Sequence, residues 1–245
     1  MVRPDAIALF AVGGALAAYL VAARRFGGSW PAGRTLAWAT GSLILLYALV
    51  GGVAAYGPAV FSVHAAQYAL AGTAAPALFA LGAPISLRLA AVPGPLSRPA
   101  AALACYALPY PLLYLTGVFD LAQSSLAVRL AMLAVVVVTG TLFFAVALGV
   151  DPLPRAIGVA VRIRMLLGAA AVQVWVALLL LAGPPQGRGW YAVLALPWSP
   201  ERDADQRLGG LLGPGISLSV IVLGLALLAG RNRAARRRLS NGWAG

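Results

Sequence analysis

No lysine occurs in this chain, and only one histidine, one cysteine and six acidic residues are spread over its 245 positions. Each scarcity removes a class of chemistry. With Cys105 alone, neither an intrachain disulfide nor a thiolate metal cluster can form. With His64 alone, a bis-histidine haem or a three-histidine zinc centre cannot be built from this chain. Charged residues of both signs make up only 10% of the sequence, whereas a soluble domain carries about 25%.

What fills the space is apolar. Hydrophobic residues reach 62% and the mean hydropathy is +0.90. A bilayer explains that balance, because the outside of the protein then faces hydrocarbon and charge retreats to the loops. The net charge of +12 does not point to nucleic acid. The arginines sit between apolar runs and form no continuous groove or stripe.

Stretches of about 20 apolar residues, enough to cross a hydrocarbon core of about 30 Å, can be marked in order. They run over about 6–23, 35–56, 60–81, 100–118, 126–149, 165–182 and 208–229. The predicted fold is therefore all-α: a single transmembrane domain over residues 1–245, a polytopic bundle of seven helices with a basic tail at 231–245. The first run has no small-residue cleavage pattern and carries Arg24 and Arg25 at its far end, so it reads as a retained helix and not as a signal peptide.

Arginine placement sets the expected orientation. One side takes Arg24, Arg25, Arg34, Arg88, Arg98, Arg155, Arg162, Arg164, Arg231, Arg233, Arg236, Arg237 and Arg238. The other takes Arg3, Arg129, Arg188, Arg202 and Arg207, offset by Asp5, Asp120, Glu201, Asp203 and Asp205. The positive-inside rule then places the N-terminus outside and the C-terminus in the cytoplasm, which an odd number of spans requires. Trp30, Trp190, Trp198 and Trp243 fall near span ends, as interfacial aromatics do. The cluster from Arg231 to Arg238 reads as a lipid-headgroup anchor, with a docking site for a soluble partner as the alternative.

Few residues inside the spans can carry chemistry. His64, Gln67 and Tyr68 are spaced to share one helical face near the outer end of the third span. They read either as a polar site opening outward or as a structural hydrogen bond between spans. Tyr106, Tyr110 and Tyr114 recur every four residues around Pro109 and Pro111, a stripe suited to packing or to lining a cavity. Gln173 reads as interhelical glue. Asp151-Pro152-Leu153-Pro154 is a stop signal after the fifth span. In the acidic cluster from Glu201 to Gln206, Asp205 is expected to cap the seventh helix. No nucleophile–base set accompanies these carboxylates, and the chain does not read as an enzyme.

The order of these motifs resembles a known family. Ser62-Val-His64-Ala-Ala-Gln67-Tyr68, followed by Ala75-Pro76 and Leu81-Gly82-Ala83-Pro84, is similar to the third-span signature of CtaG-like cytochrome c oxidase assembly factors. Asp151-Pro152-Leu153-Pro154 and Trp198-Ser-Pro200 with Asp205-Gln206-x-Leu208-x-Gly210 resemble two further blocks of that family. The resemblance runs from about Tyr56 to Gly230. It implies a bacterial plasma-membrane protein that helps a haem–copper oxidase mature, through copper carried by histidines of spans three and five.

Carried onto this sequence, His64 and Gln67 keep their places, and Tyr68 stands where the family has a second histidine. The fifth-span histidine block falls near Arg129, Met132 and Leu133. Copper favours imidazole, thioether and thiolate donors. The remaining set, His64 and at most Met132, implies a divergent member without a tight copper site of its own. Copper then enters only as a transient cargo, or as one shared with a partner. The expected partners are the lipid bilayer, oxidase subunits and copper chaperones, with no nucleic acid. The rivals are a small-solute or metal-ion transporter and an accessory structural subunit of a respiratory complex.

Overall fold

The computed structural model describes residues 4–88, 91–154, 156–194 and 200–241, and among them every regular element is helical. Arg3, Arg155, Trp198, Trp243 and the side chains of Arg236, Arg237 and Arg238 lie outside the described residues. The first helix, α1 (Pro4–Arg24), stands at the edge of the bundle against α2 (Ala32–Val50). A short helix, α3 (Gly52–Tyr56), follows across Gly51. Tyr19 fixes α1 in place. Its hydroxyl donates to the Gly82 carbonyl at 2.7 Å, and its ring stacks on Trp38 at 4.7 Å.

The next run is continuous but not uniform. α4 (Phe61–Ala69) passes through a π-turn, Leu70–Ala74, into α5 (Ala75–Leu81). Pro76 is the cause we assign. It has no N–H to give the Gly72 carbonyl four residues back, and its ring would press on that carbonyl. Widening the turn relieves both, and the Ala75 amide reaches back five residues to Leu70. On the far side of the π-turn, α9 (Leu126–Leu148) comes so close that a Cβ at Gly140 would overlap the Gly72 carbonyl oxygen. Glycine at this position is what allows the two backbones to touch.

Prolines also open α6 (Pro99–Ala107) and α7 (Pro109–Leu115), where a missing N–H costs nothing. After Thr116 the chain turns by 82° into α8 (Val118–Ser124). α10 (Val159–Ala182), α11 (Arg188–Val193) and the 40-residue α12 (Arg202–Asn241) complete the fold. α12 lies between α10 and α4, and α9 packs on α5 and α6. Phe143, Phe144, Leu166 and Ile221 fill the centre.

The end of α9 shows how charge is handled here. Gly149 takes a left-handed conformation (φ +53°), and any side chain there would collide with the guanidinium of Arg162. That guanidinium donates to the Val146 carbonyl at 2.9 Å, and Arg231 donates to the Leu148 carbonyl at 3.1 Å. Two arginines thus satisfy the unpaired carbonyls and oppose the negative end of the helix dipole.

Five helical stretches are individually long and apolar enough to cross a membrane: Ala6–Arg24, Ala32–Tyr56, Leu126–Leu148, Val159–Ala182 and Arg202–Ala234. The bent pair Pro99–Leu115 and Val118–Ser124 makes a sixth if it counts as one span. The expected third span, 60–81, is the one the π-turn divides into three short pieces.

Candidate functional site

The site is built around the first turn of α4. Two amides at that helix start, Phe61 N–H and Ser62 N–H, donate to the two carboxylate oxygens of Asp205 at 2.7 and 3.1 Å. Asp205 was expected to cap its own helix. It caps α4 instead, more than 140 residues away in sequence. The α12 start is capped by Glu201, whose carboxylate accepts from the amides of Asp203 and Ala204 at 3.0 and 2.8 Å. Spacing along one helix cannot reveal a cap that reaches across to another.

With α4 fixed, His64 points at α8. Its Nδ1 lies 3.1 Å from Nε2 of Gln123, and its ring sits 4.8 Å from Phe119 and 4.4 Å from Tyr68. Phe61 closes a third side. Gln123 is positioned in turn by Arg129 on the first turn of α9, whose guanidinium donates to the carbonyls of Ala122 and Gln123 at 3.2 and 2.6 Å. Gln123 is the functional residue that the sequence reading missed. It lies with Asp120, Ser124 and Ser125 in the short stretch between two expected spans, so its type alone gave no signal.

The expected outward-opening mouth is not there. His64, Gln67 and Tyr68 are 3%, 4% and 2% exposed. α8 covers His64, and α11 packs on α8. The Trp190 amide donates to Asp120 at 2.9 Å, and its indole donates to the Pro58 carbonyl at 2.7 Å. Nor do the three side chains act together. Gln67 turns toward α2 and donates to the Ala48 carbonyl at 2.7 Å, a structural tie, so only His64 and Tyr68 remain side by side. Met132 is buried on α9, one turn after Arg129, while the one hydrogen-bond partner of His64 is Gln123.

Several polar atoms near this place are buried with no partner among the described residues: His64 Nε2, Tyr68 hydroxyl, Gln123 Oε1 and Tyr191 hydroxyl. Burial raises the pKa of the Tyr191 phenol; Asp205 and Asp120 add to that and the Arg202 guanidinium, 3.7 Å over its ring, opposes it. The phenol therefore keeps its proton at neutral pH. Orphaned polar atoms in a dry site are costly, so such a group asks for water or a ligand. Tyr68 borders a cavity of about 10 Å³ shared with Tyr110, Tyr114, Gln173 and Ser217. That is room for about one water.

Beyond the cavity a chain of hydrogen bonds crosses the bundle. Ser217 on α12 donates to Thr73 Oγ1 at 3.2 Å, Thr73 meets the Tyr106 hydroxyl at 3.0 Å, and Gln173 Nε2 donates to that hydroxyl at 2.8 Å. The π-turn is what puts Thr73 in reach. The tyrosine stripe is buried along its length, and Gln173 is interhelical glue, as its isolation implied.

The remaining motif residues are latches. The Asp151 carboxylate accepts from the amides of Ile85 and Ser86 at 3.0 and 2.9 Å and from the Ser86 hydroxyl, pinning the turn after α5. Pro152 and Pro154 lie between α9 and α10, where neither can continue a helix. Gln206 accepts from the Gln186 amide at 2.6 Å and donates to the Leu180 carbonyl at 3.1 Å, holding the end of α10 to α12.

Copper does not fit this donor set. One imidazole, a carboxamide and a phenol meet there, and copper(I) would need a second imidazole, a thioether or a thiolate beside the first. Among the described residues no three of His, Cys, Asp and Glu gather as a metal site would require.

Curated relatives are similar over most of this chain. An uncharacterized protein of Mycobacterium bovis is 32% identical over 247 aligned residues, and one of Mycobacterium leprae is 30% identical over 236. These cover 90% and 85% of this chain, which spans only 37% and 36% of the relatives' own lengths. No solved structure matches. A family model described as cytochrome c oxidase caa3 assembly factor matches residues 16–234.

Proposed function

Because the chain belongs to the cytochrome c oxidase caa3 assembly factor family, we propose that it is a multi-pass protein of the bacterial plasma membrane that assists oxidase maturation without being an enzyme. The family match over residues 16–234 carries this reading. In the proposed topology the run 61–81 is a seventh span, counted with the six above, so that the N-terminus is outside and the tail cytoplasmic. Arginines 24, 34, 162 and 231 then share the inner face, in keeping with the positive-inside rule.

The proposed site of action is the pocket around His64, Tyr68 and Gln123. Its unpaired polar atoms and its cover of two short helices support a partner-gated pocket. A partner in the membrane displaces α8 and α11 and satisfies those atoms from its own chain. Copper, where it takes part, is cargo whose further ligands come from the oxidase subunit or a copper chaperone. This member is in that sense a degenerate paralogue without its own tight site.

The experiment is deletion of the gene, followed by haem difference spectra and copper content of the oxidase in isolated membranes. Both should fall, and wild-type chain should restore both. His64→Leu and Gln123→Leu chains, checked for normal membrane abundance, should restore neither. Normal spectra in the deletion strain would end the assembly reading. Full rescue by both variants would leave assembly standing and remove the pocket from it.

A further inference from the structure

On the opposite end of the bundle from His64, a groove of about 700 Å³ runs between α2, α5, α9 and α12. It is lined by small residues, among them Ala74, Ala77 and Gly224, and by Leu78, Leu148 and Leu227. Among the described residues, the only charged one lining it is Arg231, at the end where α9 stops. One Arg231 nitrogen donates to the Leu148 carbonyl, which leaves the rest of the guanidinium fork free to bind. Arg162 donates to the Val146 carbonyl two residues earlier, so a second guanidinium stands close by.

Two cations side by side call for an anion. The nearest carboxylate along the chain, Asp151, is 6% exposed and committed to Ile85 and Ser86. A greasy groove with volume for an acyl chain, ending near two guanidiniums that among the described residues donate only to backbone carbonyls, matches one kind of ligand. We propose that this groove is a specific site for an anionic diacyl phospholipid, with an acyl chain in the groove and the headgroup phosphate on Arg231 and Arg162. Guanidinium forks suit phosphate oxygens, and basic pockets between spans recognise acidic headgroups. The inference is independent of the oxidase reading, since it uses none of the His64 pocket.

The test uses the purified full chain in mild detergent, delipidated and then exposed to phosphatidylglycerol or phosphatidylcholine. Native mass spectrometry counts the lipid retained, and thermal denaturation reads its stabilising effect. Phosphatidylglycerol should be held and should raise the melting temperature, whereas phosphatidylcholine should do neither. Arg231→Gln should weaken phosphatidylglycerol retention roughly tenfold, the loss expected for a charged hydrogen bond. Gly230→Leu should do the same by filling the channel, because nothing lies within 4 Å of a Cβ added there and the fold is undisturbed. Arg233→Gln, outside the groove, should change nothing. Equal retention of the two lipids, or wild-type affinity in both Arg231→Gln and Gly230→Leu, would overturn the proposal.

Discussion

At the scale of residues, the acidic side chains work as latches. Asp120, Asp151, Glu201 and Asp205 each accept from backbone amides, and three of these contacts join segments 65 to 144 positions apart. Asp205→Ala leaves the Phe61 and Ser62 amides without their partner inside a buried site. It should destabilise the purified protein by about 1–3 kcal/mol in thermal or denaturant unfolding, and an unchanged transition would remove the latch from the account. Glu201 is the exposed counterpart. Hydrogen bonds from Ala204 and Asp203 lower its carboxyl below the ordinary 4.5. A depressed pKa in the folded state means that its contribution is complete above pH 4.5 and disappears as pH falls through the lower folded value. Glu201→Gln should therefore lower stability slightly above pH 4.5, where the charged carboxylate contributes, leave it unchanged at low pH where the wild-type carboxyl is already protonated, and so flatten the acid limb between the two. The type of these residues was legible in the sequence, and so was the oddity of His64. The partner of Asp205 was not, because a carboxylate that caps another helix leaves no mark in its own neighbourhood. Gln123 was harder to read, because it sits among Asp120, Ser124 and Ser125 between two expected spans, where a polar residue is ordinary.

At the scale of elements, a proline and a glycine shape what composition alone would render as uniform rods. Pro76 opens the π-turn that brings Thr73 to Tyr106, and Gly140 lets α9 lie against it. Gly140→Ala would drive a methyl group into the Gly72 carbonyl and press Pro76 at 3.0 Å. The expected cost is about 1–3 kcal/mol, the range for overpacking a tight contact. It should appear as a lower melting temperature in detergent, and a neutral result would mean that the helices do not touch there. Five of the expected spans correspond to helices that meet the length and hydropathy needed to cross a bilayer. The fourth does so only as a bent pair, and the third is divided. Hydropathy reads how greasy a stretch is; it does not register an 82° turn at Thr116 or a widened helical turn.

At the scale of the whole molecule, the proposed orientation rests on the arginine distribution. Reporter tags at the two ends should be found on opposite faces of the membrane, the N-terminal one outside. Both tags on one face would contradict the seven-span topology. The chain spans 37% of the length of a curated relative it matches. The central claim is that this bundle serves oxidase maturation with a closed polar pocket and no copper site of its own. The most direct measurement is copper per chain, by elemental analysis, after the purified protein is loaded anaerobically with copper(I) and passed over a competing chelator. The account predicts well below one copper per chain. One tightly held copper per chain, lost on His64→Leu, would contradict it.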